Sequence, residues 1–195
     1  MKITRVAILA LALPVTLPAQ QPAQGPQPNP ITTALKNRTL AMRRNIAQAF
    51  DSIPESKFSY KPTPAQLTIG FIAQHLAGDD YFFCNNFGDM KATLPEEDTT
   101  TPDSVKAKWP KEKLVAKLKE ANTFCENALN QLDDAKLAET FTVTQGGNSR
   151  QVPRINYVLG HALDLADHYS QLANYMRLNG ILPPTALPRP GRGGN

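Results

Sequence analysis

The chain has 195 residues, of which 41% are hydrophobic, and a formal net charge of +4 at pH 7. This length suits one domain with a sizeable core and leaves little room for a second. Four basic residues near the ends account for the whole positive excess: Lys2, Arg5, Arg189 and Arg192. No stripe of Lys and Arg interleaved with aromatic residues is present, so nucleic acid is not an expected partner.

The N-terminal segment has the pattern of a secretory signal peptide. Lys2 and Arg5 precede the apolar run at residues 6–17, and Ala19 is a small residue near a plausible cleavage point. The run is shorter than the ~20 residues that a membrane-spanning helix needs, so no stable membrane anchor is expected. Cleavage of residues 1–20 would leave an exported protein, either periplasmic or secreted.

The two ends of the mature chain have compositions that oppose folding. Residues 21–30 are rich in Gln and Pro and carry no charge, which predicts a disordered leader. Residues 185–195 contain two prolines and a Gly-rich segment, which predicts a disordered tail. The folded domain is therefore expected at residues 31–184.

Four long segments between these ends have apolar residues at helical spacing. They cover residues 33–50, 68–87, 111–132 and 152–179. Gly180 and a proline pair end the fourth helix, and residues 91–109 form a polar connection between the second and the third. These features predict an all-α fold, an antiparallel up-down four-helix bundle. If the chain has any strand, we expect it at residues 137–152, where an extended segment precedes Gly146 and Gly147.

Cys84 and Cys125 are the only cysteines of the chain. A disulfide persists in exported proteins, so a bridge between the second and third helices is the preferred interpretation. Two buried thiols that act as small hydrophobic side chains are the alternative. Neither cysteine has a partner at C-x-x-C spacing, so a redox motif or a zinc knuckle is not supported.

The concentrated polar chemistry lies on the fourth helix, in a stripe with three- and four-residue spacing between apolar neighbours. The stripe consists of Tyr157, His161, Asp164, His168, Gln171 and Tyr175. Buried polar groups cost about 1 to 3 kcal/mol each unless they are paired or ligated. Asp164 and His168 are one turn apart and can reach a common point, whereas His161 is two turns from His168. Gln171 and Tyr175 are candidate pocket residues.

The third histidine, His75, lies inside the second helix. Two histidines from different helices and one carboxylate would form a metal site with open positions, as catalysis requires. A hydrogen bond within the last helix and a satisfied core histidine are the alternative. Asp79, one turn after His75, either orients that imidazole or belongs to the solvated surface.

Two parts of the chain resemble the DinB-like (DinB/YfiT) superfamily. The first has YKPTP at residues 60–64, then His75 and YFFC at 81–84; the second has HYSQ at 168–171 and YMRLNGILPP at 175–184. The resemblance implies a bundle, commonly a homodimer, that holds a divalent metal with three histidines. Two of those histidines form an H-x-x-x-H pair on the last helix.

By this resemblance, His75 matches the first ligand and His168 the last, whereas Asp164 occupies the position of the middle histidine. Asp164 replaces that ligand, or His161 serves after a local shift of the helix, or no metal binds. The first alternative is favoured, because carboxylate and imidazole bind the same cations. The expected cofactor is zinc, nickel or manganese.

Characterised relatives look like metal-dependent hydrolases or thiol-dependent transferases and isomerases, and an exported protein meets few cytosolic thiols. We therefore predict a metal-dependent hydrolase of an unidentified small molecule, with His75, Asp164 and His168 as metal ligands. The alternative is a non-catalytic extracytoplasmic bundle protein, small-molecule-binding or stress-related, with a degenerate metal site.

Overall fold

The computed structural model describes residues 28–188. The predicted signal peptide, residues 21–27 of the predicted leader and residues 189–195 lie outside the described residues. In chain order the elements are α1 (Pro30–Ser52), α2 (Ile69–Phe87), α3 (Glu96–Thr100), α4 (Asp103–Lys106), α5 (Lys111–Asn130), α6 (Asp134–Ala138), β1 (Thr140–Gln145), β2 (Asn148–Pro153) and α7 (Arg154–Leu178). Within residues 28–188, no helix has the length and apolar character that crossing a membrane requires.

The predicted four-helix bundle is confirmed, with α1, α2, α5 and α7 around a common core. α2 packs against α5 and α7, and α1 packs against α7 and α5, so α1 and α2 lie across the bundle from each other. α2 and α5 run in the same direction. The start of α2 lies against the segment just before α5, since a Cβ at Gly70 would overlap the Ala107 carbonyl oxygen. The end of α2 lies against the last turns of α5, since a Cβ at Gly88 would press on Ala128. The long connection at residues 88–110 brings the chain from the end of α2 back to the level of its start, where α5 begins. Helix direction therefore does not simply alternate along the chain.

Helix boundaries differ from the sequence prediction where distant residues contribute. α1 begins at Pro30 because the Asp134 carboxylate accepts hydrogen bonds from the backbone N–H groups of Ile31 and Thr32. These donors have no partner inside the helix. α2 follows local rules, since the Thr68 hydroxyl accepts a hydrogen bond from the Phe71 N–H at its start.

The predicted strand segment forms an antiparallel hairpin in which Phe141 pairs with Val152. Gly146 and Gly147 at its turn have φ of 57° and 80°, values that favour glycine. The polar connection between α2 and α5 contains α3 and α4, two short helices that the sequence did not predict.

The predicted disordered tail begins with ordered residues. A 3-10 turn spans Pro184–Ala186, and the Tyr169 hydroxyl donates a hydrogen bond of 2.9 Å to Thr185 Oγ1. This contact with α7 extends the folded part of the chain beyond residue 184.

Cys84 of α2 and Cys125 of α5 form a disulfide in the core. Their Cα atoms are 5.2 Å apart, within the range that disulfides occupy, and both side chains are fully buried. The bridge therefore links the two helices that run in the same direction.

Reduction of this disulfide is expected to lower the free energy of unfolding by about 3 to 4 kcal/mol, because it releases a loop constraint on the unfolded chain. Urea unfolding with and without dithiothreitol measures the effect. In a Cys84→Ala/Cys125→Ala variant, the reductant should leave the unfolding midpoint unchanged. Two free thiols in the denatured, non-reduced wild type would contradict the bridge.

Candidate metal centre

α2 and α7 lie side by side and run in opposite directions, which brings two His/Asp pairs together. His75 and Asp79 are one turn apart on α2, and Asp164 and His168 are one turn apart on α7. One potential ligand atom from each of these four residues lies within 4.8 Å of the others. The His75 and His168 rings meet edge to face, with centroids 4.8 Å apart. The structure thus brings together the three predicted ligands and Asp79, the residue that the sequence offered as a partner of the His75 ring.

Each pair is in contact within its own helix. His75 Nε2 is 3.1 Å from Asp79 Oδ2, and His168 Nε2 is 3.4 Å from Asp164 Oδ1. Between the helices, a carboxylate oxygen of Asp79 and one of Asp164 lie within 4.8 Å of each other. Two acidic groups therefore face each other between two imidazoles.

The proximity of these groups shifts their proton affinities. Burial and the neighbouring Asp164 charge raise the pKa of Asp79 to about 7. Burial also acts to raise the pKa of Asp164, but the hydrogen bond and charge of His168 outweigh it and lower that pKa. Burial, followed by the His168 charge, lowers the pKa of His75. Burial acts to lower the pKa of His168, but the hydrogen bond to Asp164 and the charges of the nearby aspartates together outweigh it and raise that pKa.

The cluster is partly open to solvent, and His168 is its buried member. The side chains of His75, Asp79 and Asp164 are 34%, 23% and 20% exposed, whereas that of His168 is 7% exposed. Two of the cluster's polar atoms, Asp164 Oδ2 and His168 Nδ1, are buried without a hydrogen-bond partner in the described part of the chain. Buried polar atoms are normally satisfied, and imidazole with carboxylate is a donor set for divalent transition metals. These residues therefore fit a divalent cation.

His161, which the sequence offered as an alternative third ligand to Asp164, lies outside this cluster. Its side chain is buried in the bundle core, and its Nε2 atom is 2.7 Å from Asp80 Oδ1. Asp80 also accepts from Arg43 at 2.9 Å, and Arg43 donates to the Asn122 carbonyl oxygen. His161 thus belongs to a separate buried ion-pair network.

A second group of donor atoms surrounds His161. The Sγ atom of Cys125 is 3.9 Å from His161 Nε2, and Cys84 is the third member of the group. Both sulfur atoms are part of the disulfide, so they are not available as thiolate ligands.

Gln171 and Tyr175 also lie away from the cluster. The Gln171 amide donates to Asp167 Oδ2, one turn earlier on the exposed face of α7. Tyr175 is buried in the core, where its ring meets that of Tyr60 at 6.0 Å.

Sequence reasoning missed the buried network of His161, Asp80 and Arg43. A usable signal exists for Arg43, because it shares the apolar face of α1 with Ile46 and Phe50 at helical spacing. A charged residue on an apolar face predicts a buried partner. Nothing local identifies Asp80 as that partner rather than the adjacent Asp79.

The sequence matches the model of the DinB superfamily over residues 38–172, which is more than half of the chain. The chain belongs to the DinB superfamily, as its sequence motifs predicted. A search of curated proteins found no match.

Solved structures share the fold. YfiT from Bacillus subtilis, described as "a probable metal-dependent hydrolase with an unusual four-helix bundle topology", is 12% identical, with 83% of this chain and 94% of YfiT covered and a TM-score of 0.57. A DinB-like protein from Bacillus cereus is 16% identical, and the match covers 78% of this chain and 95% of that protein, with a TM-score of 0.59. Identities this low show the fold alone.

A mycothiol-dependent maleylpyruvate isomerase is also similar, at 12% identity and a TM-score of 0.57. The match covers 72% of this chain but only 60% of the isomerase. This chain therefore spans about three fifths of that enzyme's length.

Two adjacent aspartates on α2 provide a matched test, because Asp79 belongs to the His/Asp cluster and Asp80 to the buried ion-pair network. Asp80→Asn is expected to lower the free energy of unfolding by about 3 kcal/mol, because it leaves the Arg43 charge buried without its carboxylate partner. Asp79→Asn should change it by less than about 1 kcal/mol, since Asp79 is partly exposed and its loss removes a repulsion from Asp164. Urea unfolding of both variants measures the difference, and equal losses would contradict this assignment of roles.

Proposed function

We propose that the protein is a divalent-metal-dependent hydrolase of a small molecule, with His75, Asp164 and His168 as the metal ligands. The observation that carries the proposal is the convergence of donor atoms from two helices within 4.8 Å. Zinc, nickel and manganese all accept imidazole with carboxylate. Membership of the DinB superfamily and similarity to YfiT, itself described as a probable metal-dependent hydrolase, support the proposal.

The side chains of the cluster would have different roles in the reaction. A divalent cation at this site would polarise a substrate oxygen and lower the pKa of an attacking water molecule. His168 is the buried ligand, while the more exposed His75 faces the direction of substrate approach. Asp79, 3.1 Å from His75, would hold that imidazole in a fixed orientation.

A second candidate is a non-catalytic small-molecule-binding protein with a degenerate metal site. The two i, i+4 pairs favour it, because each imidazole already has a carboxylate partner on its own helix. The contact between Asp79 and Asp164 argues against it, since two facing carboxyl groups are unfavourable without a cation or a shared proton.

Metal binding is tested first. Calorimetric titration of the chelator-treated protein with zinc, nickel or manganese should find one ion per chain for at least one metal. Asp164→Asn should weaken binding by about 100-fold or more, as should His75→Ala and His168→Ala, because each removes a ligand. Asp167→Asn is the matched control, since Asp167 is exposed on the same helix and pairs with Gln171. Absence of binding in the wild type would overturn the proposal.

Catalysis is tested separately on the metal-loaded protein. A panel of esters, amides, lactones and phosphoesters should contain at least one class that is hydrolysed, and a chelator should abolish the activity. Asp167→Asn should keep this activity and Asp164→Asn should lose it. A protein that binds metal with full stoichiometry but hydrolyses no class would favour the second candidate.

We also propose that the protein acts outside the cytoplasm as a homodimer. The buried disulfide supports the location, because such bridges persist in oxidising compartments. Cell fractionation and analytical ultracentrifugation of the mature protein test the two parts.

A further inference from the structure

A groove of about 640 Å³ lies between the start of α2, the segment that precedes it and α4. Its walls are largely apolar and include the aromatic side chains of Phe58, Phe71 and Trp109. The volume is in the range of small-molecule pockets, and an apolar lining with a few polar groups is typical of them.

The groove and the His/Asp cluster lie along one face of α2. Thr68, Phe71, His75 and Asp79 follow one another at three- and four-residue spacing, which places them on a single face. The first two line the groove and the last two belong to the cluster. The rings of Phe71 and His75 are 6.0 Å apart, so a molecule on Phe71 lies about one helical turn from His75.

α4 lies near both sites. Ser104 of α4 and Ala107 just after it line the groove, while the Asp103 charge acts on His75. The close approach of α4 to α2 at Gly70, where a Cβ would overlap the Ala107 oxygen, keeps this wall in place. The groove and the cluster are therefore neighbouring parts of one surface.

The rim of the groove carries more positive than negative charge. Lys61 and Lys108 line it, opposed by one carboxylate, Glu55. Among the residues that the structure describes, the Lys61 ammonium donates only to the Pro64 carbonyl oxygen and has no carboxylate partner. The Lys108 side chain is exposed and has no hydrogen-bond or ion-pair partner within residues 28–188. This rim favours an anionic group on whatever the groove binds.

We infer that the groove binds an aromatic compound with an anionic substituent, and that this compound class supplies the substrate of the metal centre. The ring packs against Phe58, Phe71 and Trp109, the anion lies at Lys108, and the bond to be cleaved points towards His75. The choice of substrate class rests on the proposed function, whereas binding of the ring and the anion depends on the groove alone.

Trp109 makes the inference directly testable, because it is the only tryptophan of the chain and it lines the groove. Its fluorescence, excited selectively, is followed while the metal-free full chain is titrated with 3-phenylpropionate, 3-phenylpropan-1-ol or 3-phenylpropylamine. These probes share one skeleton and differ in charge. The anion should bind at least about fivefold more tightly than the alcohol, and the amine most weakly, as a partly exposed charge pair allows.

Variants separate the contributions of charge and ring. Lys108→Gln should remove the preference for the anion, while Lys119→Gln, an exposed lysine of α5 away from the groove, should keep it. Phe71→Ala should weaken all three probes by about fivefold, because each loses the same aromatic contact. Circular dichroism of each variant verifies that it is folded.

Equal affinity for the three probes, or an anion preference that survives Lys108→Gln, would overturn the inference. The titration contains no metal, so its failure is distinct from failure of the proposed function. A protein that binds metal but not 3-phenylpropionate loses only this inference. One that binds 3-phenylpropionate selectively but no metal keeps the groove assignment and loses the hydrolase proposal.

Discussion

A single buried carboxylate, that of Asp80, holds the helices of this bundle in their mutual positions. It accepts from Arg43 of α1 and lies 2.7 Å from His161 of α7, while Arg43 reaches the Asn122 carbonyl oxygen of α5. All four long helices thus meet at one polar network in the core. Because α1 and α2 lie across the bundle from each other, the Arg43–Asp80 pair spans its centre. A buried charge is tolerated only with its partner in place, so the network restricts how the helices can slide or rotate.

This restriction determines where the candidate metal centre forms. α2 and α7 run in opposite directions, so stepping back along α2 from Asp80 to His75 corresponds to stepping forward along α7 from His161 to His168. Pairing of Asp80 with His161 therefore places His75 opposite His168. Asp79 precedes Asp80 by one residue and is rotated by about 100°, so it faces the solvent-side flank where Asp164 lies.

The same contacts explain which features the sequence could predict. Four long segments with helical periodicity predicted the bundle, and Asp164 and His168 were recognisable as a pair because they lie one turn apart on one helix. The choice between His161 and Asp164 could not be made from periodicity, since both lie on the same stripe of α7. It depends on Asp80, 81 positions earlier in the chain. The parallel course of α2 and α5 likewise depends on the long connection between them, and the start of α1 depends on Asp134.

Within residues 28–188, two groups of donor atoms have spacing suitable for a metal ion, and accessibility distinguishes them. Cys84, Cys125 and His161 are all buried, and the disulfide occupies both sulfur atoms. In the group of His75, Asp79, Asp164 and His168, only His168 is buried, so this group is accessible from solvent. Its facing carboxyl groups are an unfavourable pair that the helices cannot relieve by moving apart, because the Asp80 network holds α2 against α7. The rigid core therefore keeps the two carboxyl groups close together, and a bound cation would relieve their mutual repulsion.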